Sequence, residues 1–277
     1  MALIQMNLFS QSLMRQVPVN VILPVDKLLF PGMPKREEKP YKTLYLLHGI
    51  FGNHTDWVIG TRIQRYAEEH DLVVVMPAGD NSFYVDRPKS NSFYGEFVGN
   101  ELVELTRKMF PLSRKREDTF IGGLSMGGYG AMRNGLKYHN NFGYIIALSG
   151  ALFMDSLPER TNEAPVFFER RDYAESCFGD LDMLLESDKN PKYLVNKIIE
   201  TKADMPKIYM ACGESDHLLG FNKDFAAFLK EKGVDLTFEM GPGAHEWDFW
   251  DTYIKRAIEW LPTEDKVQGI NSGNIGK

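Results

Sequence analysis

Three residues far apart in the chain, Ser125, Asp216 and His245, have the types and surroundings that acyl transfer requires. Ser125 is the centre of Gly123-Leu124-Ser125-Met126-Gly127. A Gly-x-Ser-x-Gly run of this kind seats a serine on a tight strand-to-helix turn, with its hydroxyl projecting above a sheet edge. The flanking glycines keep side chains out of the space where strand and helix approach each other. Alone, the pattern is equally compatible with a glycine-rich turn, so its partners decide. A serine hydroxyl is a weak nucleophile at neutral pH, and it needs a base within hydrogen-bond reach and a carboxylate to hold that base in the right tautomer. The apolar run 207–211 ends in Cys212-Gly213-Glu214-Ser215-Asp216, and the run 236–240 ends in Gly241-Pro242-Gly243-Ala244-His245. In a parallel sheet, groups at the carboxyl ends of strands converge on one cleft. Asp216 is the acid by reach, with Glu214 a nearby competitor and a cap or turn role the plain alternative. His245 follows a glycine-rich turn and precedes Trp247 and Trp250, which can cover its ring edge.

A tetrahedral intermediate also needs two fixed N–H donors for its oxyanion. Met126, directly after the serine, supplies the first; the loop after His48-Gly49 supplies the second, with Ile50 the matching position and Phe51 the next. The remaining histidines are weaker candidates. His70 and His139 sit near helix ends, His217 adjoins the proposed acid and His54 lies in a loop near the entrance. No HExxH or clustered ligand set suggests a metal, and no cofactor is expected.

The elements that must position these groups are legible from periodicity. Residues 4–10 and 16–23 alternate as two strands of an antiparallel edge pair. Residues 42–47 and 72–76 are apolar runs flanking a helical stretch, 61–70, which is a βαβ unit with strands buried on both faces. A helix over 100–109 leads into a strand over 118–122, and a helix over 128–137 follows the serine. Strands at 144–148, 207–211 and 236–240, a helix over 222–232 and a last helix over 250–260 complete an α/β fold. Its central sheet is mostly parallel, with an antiparallel N-terminal edge and helices on both faces. Between 152 and 206 no strand pattern is clear, prolines and acids interleave with aromatics around a helix over 192–201, and the stretch reads as a small cap insertion. One domain spans 1–264, and 265–277 is expected to be a flexible tail.

Composition excludes several classes of partner. A net charge of -6 offers no basic footprint for nucleic acid or an anionic membrane, so the expected substrate, a small-molecule ester, is neutral or engages local groups. The N-terminus lacks the cationic start and apolar run of a signal peptide, no segment reaches spanning length, and a cytoplasmic location is expected. Cys177 and Cys212 have no zinc-ligand spacing and are expected to be reduced and buried. Acidic, aromatic segments in the cap are compatible with homodimer packing.

With these residues in place, the chain resembles the esterase D and tributyrin-esterase branch of the α/β-hydrolase family, related to carbohydrate acetyl and feruloyl esterases, S-formylglutathione hydrolases and mycolyltransferases. The likeness covers about residues 2–262. It is carried by Leu44 to Trp57 with its LYLLHG start, by MPAGDNSFY from Met76, by GGLSMGGYG from Gly122, by Gly213 to Asp216, and by HEWDFW from His245. The order Ser125, Asp216, His245 is that of the family and differs from the chymotrypsin and subtilisin orders. The resemblance implies a triad of these three residues, oxyanion donors at Ile50 and Met126, and cofactor-free hydrolysis of short acyl or acetyl- and feruloyl-type sugar esters. Formylglutathione hydrolases carry a cysteine in the oxyanion loop; here that loop is Ile50-Phe51-Gly52-Asn53, which puts thioester hydrolysis in doubt. Phe51, Trp57 and Trp247 are candidate substrate contacts, with core packing the competing role. Acyl transfer to an acceptor other than water would use every one of these residues, and a non-catalytic binding protein could keep the same fold.

Overall fold

The structure is a computed structural model that describes residues 1–33 and 35–263; the expected tail lies outside the described residues. Eight strands form one sheet: β1 (Ala2–Ser10), β2 (Arg15–Leu23), β3 (Thr43–Leu47), β4 (Val73–Pro77), β7 (Thr119–Leu124), β8 (Tyr144–Leu148), β9 (Lys207–Gly213) and β10 (Leu236–Gly241), with β5 (Asp86–Arg87) and β6 (Ser92–Phe93) paired as a separate ribbon. Their order is β1-β2-β4-β3-β7-β8-β9-β10. The first two junctions are antiparallel and the rest parallel, so the chain is an α/β-hydrolase fold with its antiparallel edge at the N-terminus.

Strand alternation divides the core into two layers. On β3, Tyr45 and Leu47 face one layer while Leu44 and Leu46 face the other; on β7, Ile121 opposes Phe120 and Leu124 in the same way. The first layer is covered by α4 (Leu102–Met109), α5 (Met126–Lys137) and α8 (Leu219–Glu231), the second by α1 (Asp56–Gly60), α2 (Ile63–Glu69) and α9 (Trp247–Trp260). Each covering helix turns an apolar stripe to the sheet, as Phe225, Ala226 and Leu229 do on α8.

Several boundaries differ from expectation, each for a local reason. β7 and α5 run closer to Ser125 than the sequence indicates, because the serine alone makes the turn between them. The helix expected from residue 100 starts earlier, as α3 (Tyr94–Glu96) and a π-helical turn, Phe97–Glu101, that runs into α4. Gly95 and Gly99 hide that start. A Cβ at Gly99 would stand 2.1 Å from the Tyr138 ring, so close packing demands two poor helix formers there. Likewise α8 and α9 begin three residues ahead of the expected positions 222 and 250.

Between β8 and β9 the chain forms short 3₁₀ turns, α6 (Arg171–Phe178), which the sequence did not reveal, and α7 (Pro191–Thr201), capped by the Asn190 side chain. This segment is tied to α5 by the fully buried Arg133, whose Nη2 reaches Asp188 Oδ2 at 2.6 Å and whose Nε donates to the Asp188 carbonyl at 3.0 Å. Tyr129 adds a hydrogen bond to the Lys189 carbonyl at 2.6 Å. Among the described residues no helix is long and apolar enough to cross a membrane.

Candidate active site

Ser125 sits at φ 53 and ψ −119, a left-handed conformation that is strained for a residue with a Cβ. The surroundings enforce it. Its N–H donates to the Leu148 carbonyl at 2.9 Å and its carbonyl accepts from Tyr129 and Ala151, both at 3.0 Å. A Cβ at Gly123 would lie 2.4 Å from the Gly127 carbonyl oxygen, and one at Gly127 would lie 2.4 Å from the Leu47 oxygen. Both contacts are against backbone and cannot be relieved by side-chain motion, so the two glycines are sterically required.

The ends of β9 and β10 cross-brace each other. Glu214 N–H donates to Gly241 O at 2.9 Å and Ser215 N–H to Gly243 O at 3.0 Å, with Gly243 at φ 130. This turn buries Asp216 and leaves Glu214 exposed. His245 Nδ1 donates to Asp216 Oδ2 at 2.9 Å, and His245 Nε2 lies 3.0 Å from Ser125 Oγ. Burial by itself would raise the Asp216 carboxyl. Hydrogen bonds from His245, the Leu218 N–H and the Ser149 hydroxyl outweigh it and hold the carboxyl at about 2. The imidazole of His245 is bracketed by Trp250, edge-on at 4.9 Å, and His217 at 4.8 Å. Asp216, His217 and His245 thus gather potential metal donors within 4.8 Å, a grouping not apparent from spacing; Asp216 Oδ2 and His245 Nδ1 are engaged with each other.

The loop after β3 approaches from the opposite side of the serine. Phe51 N–H donates to Asn81 Oδ1 at 2.8 Å, whereas neither Ile50 N–H nor Met126 N–H has an acceptor among the described residues. His48 pins this loop. It is 1% exposed, its Nδ1–H donates to Gly49 O at 2.7 Å, and its Nε2 accepts from Gly79 N–H at 2.8 Å. Burial lowers the His48 pKa, and the Gly79 bond requires the neutral ring. Tyr84 completes the clamp by donating to His48 O at 3.0 Å.

These groups open into one cavity of about 830 Å³. Ser125, Met126, Ile50 and His245 line it, as do Phe51, whose side chain is exposed at the rim, and Trp247. Trp57 does not reach it. At 1% exposure its indole N–H donates to Leu47 O at 3.0 Å and its ring packs edge-on behind Trp247 at 5.7 Å, so it supports the wall without forming it. Of the other histidines, His70 is buried at the end of α2, and His54 and His139 are half-buried away from the cavity lining. Sequence reasoning missed Ser149, Asn81 and the clamp role of His48. Ser149 follows β8 as Ser125 follows β7, so its place at a strand's carboxyl end was the available signal.

Comparison with known proteins identifies the family and the fold. The Esterase family's sequence profile matches residues 10–261. An acetyl esterase of Caldicellulosiruptor saccharolyticus is 46% identical over 261 residues, covering 94% of this chain and 98% of that one. Among solved structures, the fluorophosphonate-binding serine hydrolase F of Staphylococcus aureus superimposes with a TM-score of 0.81 at 35% identity, and an S-formylglutathione hydrolase of the same organism with 0.79 at 34%; each match covers 94% of this chain and 98% of the other.

Proposed function

From the premise that the chain belongs to the Esterase family and is a serine carboxylic-ester hydrolase, we propose that it cleaves short-chain acyl or acylated-sugar esters through an acyl-enzyme formed on Ser125. The observation that carries this reading is the continuous run of hydrogen bonds from Asp216 through His245 to Ser125, opening on a cavity beside two N–H groups that have no acceptor among the described residues.

The chemistry follows from the positions. His245 Nε2 takes the Ser125 proton as Oγ attacks the ester carbonyl, and the ring becomes imidazolium with its Nδ1–H held against ionised Asp216. The carbonyl oxygen, now negative, lies between the Ile50 and Met126 N–H groups. The engagement of the Phe51 N–H with Asn81 favours Ile50 over Phe51 as the second donor. Collapse expels the alcohol, which receives the proton from Nε2, and leaves the acyl group on Oγ. Water then repeats the sequence with His245 as base, releasing the acid and free serine. The 46% identity to an acetyl esterase supports a short acyl group. A single domain over 1–264, with residues 152–206 as a cap beside the cavity, belongs to the same reading.

Ser125→Ala assayed with 4-nitrophenyl acetate tests the mechanism: turnover falls to background, and undiminished turnover overturns the role of the serine. Relative kcat/KM on tributyrin, methyl ferulate and acetylated xylan oligomers tests the substrate class, which fails if all three are inert while 4-nitrophenyl acetate is cleaved. The 34% identity to an S-formylglutathione hydrolase favours a second reading, thioester hydrolysis. It requires S-formylglutathione to outrun every oxygen ester in the same panel.

A further inference from the structure

We propose that Arg160 forms an anion subsite inside the cavity, so that the preferred esters carry a carboxylate remote from the bond that is cut. This rests on the esterase reading above and specifies its substrate. Arg160 is the only lysine or arginine among the described residues that line the cavity. Its guanidinium lies over the Phe153 ring, 5.0 Å from the centroid, and Nη1 donates to the Phe168 carbonyl at 3.0 Å. Phe153 is itself fixed edge-on by Phe83 at 6.3 Å and Phe221 at 6.0 Å, and all three rings line the cavity. The cation is therefore set in one place on an aromatic shelf before any ligand arrives.

It has no ion-pair partner among the described residues, whereas Arg171 pairs with Glu175 and Asp182 and Arg170 makes two carbonyl contacts, with Ala164 and Pro165. Burial lowers the Arg160 pKa, Glu169 opposing that shift, yet a guanidinium stays charged. A half-buried, unpaired cation is costly unless something completes it. The other charged groups of the lining do not. Glu169 is exposed and acts on Arg160 only at a distance, with no salt bridge between them, Asp56 Oδ1 accepts from Asn53 N–H at 3.1 Å, and Glu246 Oε1 accepts from Ala244 N–H at 2.9 Å. Beyond the Nη1 bond to Phe168 O, no acceptor among the described residues takes the Arg160 N–H groups, and the residue lines the cavity, where a planar fork can bind a carboxylate through two parallel hydrogen bonds.

The carboxylate can belong to the acyl or to the alcohol half of the ester, and two substrate pairs separate these sources. Monoethyl adipate against ethyl hexanoate places the charge on the acyl side; 4-(acetoxymethyl)benzoate against its methyl ester places it on the alcohol side. For one of the two pairs, wild-type kcat/KM is expected to favour the anionic member, and Arg160→Gln to lower the anionic-to-neutral ratio by about tenfold or more, with Arg160→Lys between them. Thermal melts of the variants show that they are folded. A wild type that prefers the neutral member of both pairs, or a ratio unmoved by Arg160→Gln, overturns the subsite while leaving the esterase reading intact. A wild type that cleaves neither member of either pair, nor 4-nitrophenyl acetate, overturns the esterase reading instead.

Discussion

The two walls of the cavity are built on opposite principles. The wall bearing Ser125, Ile50 and His245 is made of strand-end turns whose positions are set by backbone: Gly123 and Gly127 touch neighbouring carbonyls, Ser125 and Gly243 hold positive φ, and the turns after β9 and β10 exchange N–H···O bonds. The facing wall, from the segment between β8 and β9, contributes Phe153 and Arg160 from irregular chain and Phe168 from a short 3₁₀ turn. It is held by long side chains reaching carbonyls, as Arg171 Nη1 reaches Pro158 O at 2.6 Å and Arg170 Nε reaches Ala164 O at 2.9 Å. Reaction geometry tolerates errors of only a fraction of an ångström, so it sits where atoms cannot move without breaking the sheet. Substrate selection tolerates more, and it is assigned to the wall whose side chains can change one at a time.

That contrast predicts a steep gradient of mutational effects. Asp216→Asn, on the rigid wall, is expected to lower kcat on 4-nitrophenyl acetate by about 10³- to 10⁴-fold, because the amide cannot hold the imidazole in the productive tautomer. The same residue sets an acid limit to stability. Its folded pKa of about 2 lies below the usual carboxylate value, so its contribution is present above about pH 4 and is lost as pH falls through about 2. In a urea titration series across that window the wild type is expected to lose about 2 kcal/mol more than Asp216→Asn, since the other acid-sensitive carboxylates are common to both. Gly127→Ala comes next: a methyl group 2.4 Å from Leu47 O must push α5 off β7, lowering kcat by about a hundredfold and the melting temperature with it. A normal melting temperature and kcat there would dissolve the distinction between the walls.

His48→Leu removes both ring hydrogen bonds from the clamp and leaves the Gly79 N–H unsatisfied, at a cost of about 1–3 kcal/mol of stability. It is expected to lower kcat about tenfold with KM little changed, since the oxyanion donor loop loosens while the cavity keeps its lining. An increased KM at constant kcat would place His48 in substrate binding instead. The smallest effect belongs to the facing wall. Arg171→Ala loses surface pairs with Glu175 and Asp182 and a carbonyl contact, and should leave kcat/KM for acetate within about threefold and the melting temperature little changed. A loss as large as that of Gly127→Ala would mean that both walls are equally rigid.

Legibility in the sequence follows the same division. The strand-end turns announce themselves through glycines, a serine between them and apolar runs before them, so Ser125, Asp216 and His245 could be named and ordered from residues alone. α6 could not, because its single buried face of Ala174, Cys177 and Phe178 is too short to set a period against the charges around it. Trp57 and Trp247 carry the same side chain in comparable turns, yet one is sealed behind the other. Likewise, adjacent N–H groups at Ile50 and Phe51 are indistinguishable until Asn81, thirty residues on, engages one of them. The chain by itself determined the strands of the main sheet to within a few residues and the three side chains of the hydrogen-bonded run, because periodicity and turn chemistry act within a few residues. Tertiary structure decided which backbone donor stays free among the described residues, which aromatic ring meets the cavity and which arginine lines it, because each of those depends on where a distant segment comes to rest.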